Sequence, residues 1–331
     1  MSLSGVLNDI HEQQVIFNNI MHINFDKASL QGELREHEPM SRHTSWKTGG
    51  NADYYYRVAS IEDLSEFMSM LPDDVPVTWV GFGSNLLVRD GGLPGVVISV
   101  TGVLDSAKLI SDTEIKLGAG LSCAKAARFA AKQGLAGTEF LAGIPGTVGG
   151  ALAMNAGAYG SEIWSHVYQV ETINRKGECR TLNKDQFEIG YRSVSLSTDE
   201  WFISASLKLE LTDKEIAEQR IRNLLAERAD AQPLGKLSCG SVFRNPPDDH
   251  AARLIDECGL KGKQIGGACV SEKHANFIIN TGNASSNEIE QLIEFVQAEV
   301  YKQKMIKLIP EVRIIGESTE VIKSKNSGDD D

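Results

Sequence analysis

The chain has 331 residues, 41% of them hydrophobic and 24% charged, with a formal net charge of −12. That length holds two or three domains with well-buried cores, and the acidic balance argues against a surface built for nucleic acid or an anionic membrane, though not against a local basic pocket. No apolar run approaches the roughly 20 residues that span a bilayer, and the N-terminus lacks the basic start and long apolar stretch of a signal peptide, so a cytoplasmic protein without membrane insertion is expected.

In chain order, residues 1–33 read as an appended extension, with Ile10, Val15, Ile16 and Ile20 at loose helical spacing. Residues 34–100 alternate β-rich runs (Ala52–Val58, Val77–Val80, Val96–Val100) with a helix near Ile61–Leu71, punctuated by Pro76 and the glycines 91, 92 and 95. Residues 101–211 hold the strand-like EIKLGAG, an alanine-rich helix CAKAARFAAKQG, a long glycine-rich loop and further strands. A third part, 212–317, begins with the charged helix DKEIAEQRIRNLLAERADAQ, stopped at Pro233, includes a helix at Asn287–Gln303 and closes on the strand EVRIIGE. The tail 318–331 is polar, and disorder is expected there. Helices and strands mix without a βαβ rhythm, which points to an α+β architecture. The five cysteines, Cys123, Cys179, Cys239, Cys258 and Cys269, form no CxxC pair; an odd count so spaced fits reduced thiols better than disulfides or a metal site.

Two loops carry the chemistry. The first, Gly81-Phe82-Gly83-Ser84-Asn85-Leu86, follows the strand Val77–Val80 directly, where glycine lets the backbone turn its N–H groups onto an anion. The second runs from Leu141 to Gly160 and is rich in glycine and alanine. So little side-chain bulk lets backbone press against a large planar or phosphorylated group, although close helix packing alone also uses glycine this way. Neither loop has the GxGxxG or GxxxxGK[ST] pattern.

The set HTSWKTGG at 43–50, GFGSNLLVRDGGLPGVVI, LAGIPGTVGGALAMNAGAYG, GYR at 190–192, CGSVFRNP at 239–246, HANFIIN at 274–280 and PEVRIIGE at 310–317 resembles the UDP-N-acetylenolpyruvylglucosamine reductase (MurB) family over roughly residues 34 to 317. The resemblance implies a vanillyl-alcohol-oxidase-type FAD-binding module of two subdomains (34–100 and 101–211) and a C-terminal α+β substrate-binding domain (212–317). It implies non-covalent FAD, NADPH as co-substrate and UDP-N-acetylglucosamine enolpyruvate as substrate, reduced to UDP-N-acetylmuramate for peptidoglycan. Hydride would pass from flavin N5 to the enolpyruvyl methylene carbon.

Carried over by position, the resemblance makes Arg192 the group that polarises the substrate carboxylate, Ser241 the proton donor and Glu311 the third active residue. FAD contacts fall at Gly49, then Gly81, Gly83, Ser84, Asn85 and Leu86. In the second loop they fall at Gly143, Ile144, Pro145, Gly146, Thr147, Gly149 and Gly150, with Asn155, Gly157 and Ala158 beyond. Tyr191 and Asn245 become substrate contacts; Arg228, Gln232 and Lys236 lie where relatives bind phosphate but do not align individually. Without the resemblance, Arg192 reads as a surface ion pair, Ser241 as a turn serine and Glu311 as a solvated glutamate. Two rivals remain: an oxidase of the same fold with flavin tethered to His43 or Cys239, and a non-catalytic flavin or UDP-sugar binder.

Overall fold

The computed structural model describes residues 30–319; the helical pattern at Ile10–Ile20 and nearly all of the polar tail lie outside the described residues. Strands β1 (Glu33–Pro39), β2 (Asn51–Arg57), β3 (Val77–Trp79), β4 (Leu86–Val88) and β5 (Leu93–Ser99) build the first part. Four of them form a sheet in the order β1-β2-β5-β3, antiparallel at β1/β2 and parallel on either side of β5. Helix α1 (Ile61–Met70) starts where the Ser60 hydroxyl accepts the Asp63 N–H. Its Leu64, Phe67 and Met68, spaced three and four apart, bury on this sheet against Tyr56, Val96 and Ile98. Burial of each such side chain contributes roughly 1.5–3 kcal/mol.

The second part is an antiparallel sheet of β6 (Ala107–Ser111), β7 (Glu114–Gly118), β8 (Val167–Asn174), β9 (Cys179–Asn183) and β10 (Glu200–Lys208), ordered β9-β8-β10-β7-β6. Helix α2 (Cys123–Lys132), capped by Ser122, buries Ala126, Ala127, Ala130 and Ala131, small side chains that let its axis approach closely. The glycine-rich loop enters the short helix α3 (Val148–Ala153) through Thr147, whose hydroxyl accepts the Gly150 N–H at 3.3 Å. Helix α4 (Lys214–Ala231), expected to open the third part, instead buries its Ala217 and Ile221 in this second core. The charged surface of the rest of α4 hides that narrow apolar contact from a sequence reading.

In the third part α5 (Ala251–Glu257) and α6 (Ser286–Lys304) cover the antiparallel strands β11 (Gln264–Ile265), β12 (Ala268–Val270) and β13 (Ile278–Asn280). A capping box of Ser285 and Glu288 starts α6, and Leu292, Ile293, Val296 and Val300 supply its buried face. Two ties cross back to the first part. The closing strand β14 (Arg313–Ile315) pairs in parallel with β4, and Trp46 is fully buried in the third core, where its indole donates to Ile278 O and its carbonyl accepts Asn280 Nδ2, both at 2.8 Å.

Candidate active site

Residues from all three parts line one cleft of about 300 Å³. The first loop forms one wall. Gly83 has φ 59°, and a Cβ there would lie 2.0 Å from the His43 carbonyl oxygen, so the turn admits only glycine. Asn85 ties this wall to the closing strand: its Nδ2 donates to Glu311 O at 3.0 Å, and its own carbonyl accepts the Arg313 N–H at 3.0 Å.

The glycine-rich loop forms the facing wall, fastened to the second part by Cys123 N donating to Gly146 O at 2.9 Å and Val148 N to Leu121 O at 2.8 Å. At Gly146 and Gly150 an added Cβ would meet no protein atom closer than 3.5 Å. Packing therefore does not demand bare backbone at these two positions; its effect is to leave room in the cleft. Together with the wall of Gly81, Gly83 and Ser84, this space fits a large flat ligand with a phosphate-bearing arm, as FAD is.

Most of the expected cofactor residues line the cleft: Gly81, Gly83, Ser84, Asn85 and Leu86 on one wall, Gly143, Ile144, Pro145, Gly146, Thr147 and Gly150 on the other, with Gly157 and Ala158 beyond. Three sit behind it. A Cβ on Gly149 would lie 2.9 Å from the Ala119 Cβ, so packing by itself requires glycine here. Gly49, at φ 128°, likewise packs on Val88. Asn155 is buried, donating through Nδ2 to Glu162 Oε2 at 2.8 Å and to Gly190 O at 3.1 Å, so it braces the Arg192 loop.

Arg192, Ser241 and Glu311 converge in the cleft. Arg192 sits between the two short strands of a hairpin, Ile189–Gly190 and Ser193–Val194, with φ 54°. A non-glycine residue in the left-handed region is strained, and surrounding contacts must hold it there. Its guanidinium donates from Nε to Glu311 Oε1 at 3.1 Å, from Nη1 to Asn155 O at 3.4 Å and from Nη2 to Gly157 O at 2.7 Å. The fork has five N–H donors, so two remain after these three bonds. Burial pushes the Glu311 carboxyl above the usual carboxylate range, opposed by the nearby Arg192 and Arg244 charges. Ser241 follows Gly240, whose φ of 72° turns the chain into the cleft. The Glu311 N–H donates to Val242 O at 2.7 Å, which binds the segments carrying Ser241 and Glu311 to each other.

Tyr191 is exposed, its ring centre 5.0 Å from the Arg192 guanidinium carbon. Asn245 lies outside the cleft lining and spends its Oδ1 on the Ala251 N–H at the start of α5, 3.1 Å away. Arg228 and Gln232, at the end of α4, do line the cleft and hydrogen-bond at 2.9 Å, and burial lowers the Arg228 pKa. Arg228 also borders an adjoining cavity of about 350 Å³ reached by Lys47 and Lys236. The sequence reading missed Phe277 and Arg313 in the lining. The period of two along a strand places Arg313 on the same side as Glu311 and was the available signal. His43 is held by Glu38 at 2.9 Å and stacks on Tyr55, away from the cleft lining, while burial pushes the Cys239 thiol up to about 12.

A family model described as FAD binding domain matches residues 52–183, and one described as UDP-N-acetylenolpyruvoylglucosamine reductase, C-terminal domain, matches residues 232–315. Proteins named UDP-N-acetylenolpyruvoylglucosamine reductase are similar over most of their length. The one from Legionella pneumophila (strain Corby) is 55% identical over 87% of this chain and 94% of its own. The one from Alkalilimnicola ehrlichii is 53% identical over 87% and 96%. Among solved structures, MurB from Thermus caldophilus superposes with a TM-score of 0.75 at 33% identity, covering 86% of this chain and 99% of that one. The 6-hydroxy-D-nicotine oxidase of Arthrobacter nicotinovorans, at 13% identity and a TM-score of 0.53 over 88% and 91%, shares the fold alone.

Proposed function

The chain belongs to the UDP-N-acetylenolpyruvoylglucosamine reductase family, with its FAD-binding and C-terminal domains, and from that premise we propose that it uses NADPH and non-covalent FAD to reduce UDP-N-acetylglucosamine enolpyruvate to UDP-N-acetylmuramate. The observation that carries this reading is the meeting of Arg192, Ser241 and Glu311 in a cleft walled by bare glycine backbone. Bound FAD supplies two-electron hydride transfer, which no side chain provides. Ser84, Asn85 and the open backbone at Gly146 and Gly150 hold it. His43 is engaged away from the cleft, and Cys239, although it borders the cleft, is a buried neutral thiol whose Sγ is turned to the Gly83 and Leu86 carbonyls; both favour flavin held without a covalent tether.

The chain's own groups do the rest. When hydride adds to the methylene carbon, negative charge builds on the neighbouring carbon and its carboxylate. The two free N–H donors of Arg192 take that charge in a fixed bidentate fork. Ser241 gives its proton to the neighbouring carbon and regains one from water. Glu311 keeps Arg192 aimed through Nε; its raised pKa lets it share a proton with the substrate carboxylate rather than repel it. Arg228, Gln232 and Lys236 provide the cationic and polar ground for the diphosphate. The test is anaerobic: the purified yellow protein bleaches with NADPH and recolours with the enolpyruvyl substrate. Bleaching without recolouring would sink this reading and leave a flavin reductase of another acceptor.

A further inference from the structure

The three acting groups come from three separate stretches of chain, the 189–194 hairpin and the 241–244 and 309–311 segments, of which the last two pair into one ribbon. Something must hold those pieces in register. Phe243 pairs with Pro310 in an antiparallel bridge, with Glu311 N donating to Val242 O at 2.7 Å and Arg244 N donating to Ile309 O at 2.9 Å. In that register Arg244 and Glu311 are diagonal neighbours on one face, within reach of a long side chain. The Arg244 guanidinium leaves this ribbon and donates from Nη2 to the Arg192 carbonyl oxygen at 3.5 Å. Its Nε is buried without a partner. A buried, unsatisfied cationic donor is costly and is retained where something other than packing requires the group.

We propose that Arg244 is a positioning residue: it fastens the hairpin presenting Arg192 onto the ribbon presenting Ser241 and Glu311. The strain at Arg192 gives this contact its purpose. With φ at 54°, Arg192 carries a strained backbone; its side chain is bonded to Glu311 and Gly157, and Arg244 holds its carbonyl. Arg244 also acts on Glu311. The charges that draw its carboxyl down against burial are Arg192 from the hairpin and Arg244 from the ribbon; Arg313, at the start of β14 two residues beyond Glu311, also lines the cleft. The residue thus sets both the aim of Arg192 and the ionisation of Glu311 without contacting substrate itself.

This rests on the reading of Arg192, Ser241 and Glu311 given under Proposed function, and the test separates the two. Full-length, flavin-loaded R244Q, R244K and E311Q are followed by anaerobic stopped flow and by an infrared pH titration of the carboxyl band that disappears in E311Q. In R244Q, reduction by NADPH stays within about twofold of the parent. Reoxidation by the enolpyruvyl substrate slows on the order of 10²-fold, the loss expected when a reacting group is misplaced by about 1 Å. The Glu311 midpoint rises in R244Q and returns toward the parent value in R244K, which restores the charge but not the planar fork. An unmoved midpoint, or equal slowing of both half-reactions, overturns the proposal. Should R244Q fail to hold flavin, R244K carries the test: slowed reoxidation with a near-parental midpoint supports the role, and parental reoxidation refutes it. Reoxidation of E311Q at the parental rate removes the reading of Glu311 in the reaction, while the infrared midpoint still decides whether Arg244 acts on Glu311.

Discussion

Ser241 and Glu311 lie on two segments bonded to each other through Glu311 N and Val242 O and both line the cleft, yet the chemistry asks opposite things of them. Ser241 must lose a proton to carbon during one step; Glu311 must keep its place opposite Arg192 throughout. Ser241→Ala removes a single hydroxyl and leaves both glycine walls intact. Reduction by NADPH needs no proton from Ser241 and should survive, whereas reoxidation by the enolpyruvyl substrate should fall on the order of 10²–10⁴-fold, the usual worth of a general acid. Stopped-flow absorbance separates the halves, and equal slowing of both would refute the assigned role. For Glu311 the measurement is stability against pH. Its carboxyl is raised in the folded state above the roughly 4.3 of an unfolded chain. The folded protein therefore holds this proton more tightly, and the stability it contributes is present below the unfolded pKa and lost as pH rises through the folded one. Relative to the parent, Glu311→Gln should gain stability across that window as pH increases. Denaturant midpoints collected at a series of pH values check this, and a difference that stays flat with pH would rule out the raised pKa.

One turn separates Gly146 from Gly149 at the start of α3, and the two meet different surroundings. Gly146 faces open cleft, while Gly149 rests on Ala119. Gly146→Val should lower flavin content, read by absorbance and by FAD titration, with little change in the melting temperature of the flavin-free protein. Gly149→Val should lower that melting temperature, because a branched side chain must displace Ala119 and with it the seat of α3; any flavin loss then follows indirectly. If the flavin-free Gly149 variant melted with the parent, the packing role would be wrong. The same pair marks how far the sequence could be read. Helices α1, α2, α4 and α6 were legible because their apolar spacing, caps and stops are local. The cleft walls were legible because their glycines lie in continuous motifs. The side on which each glycine faces was not, since that depends on Ala119, some thirty residues away in the chain. Nor was the brace role of Asn155, whose partners Glu162 and Gly190 come from two further elements, or the seating of α4 in the second core.

The three parts of the chain are joined by long-range ties, and these decide what can be removed. Strand β14 ends at Ile315, but its hydrogen bonds continue: Arg89 N donates to Ile315 O and Gly91 N to Glu317 O, both at 2.9 Å, and Glu317 N donates to Gly92 O at 3.0 Å. Asn85, Glu311 and Arg313 add the cleft's own link across the same seam. A chain cut after Ser318 keeps every one of these bonds and loses only a polar segment with little to bury. It should retain parental flavin content, turnover and melting temperature. A chain cut after Val312 keeps Glu311 but loses β14. That leaves β4 unpaired and the first loop with only one of its two Asn85 ties, the bond to Glu311 O, even though every residue assigned to the chemistry is still present. Flavin content should then collapse, and thermal unfolding should broaden or split as the first and third parts lose a shared strand. Comparing the two truncations by absorbance and calorimetry distinguishes the seam from the tail. Loss of flavin in the longer one would make the tail structural, and full flavin retention in the shorter one would show that β14 does not hold the first loop in place.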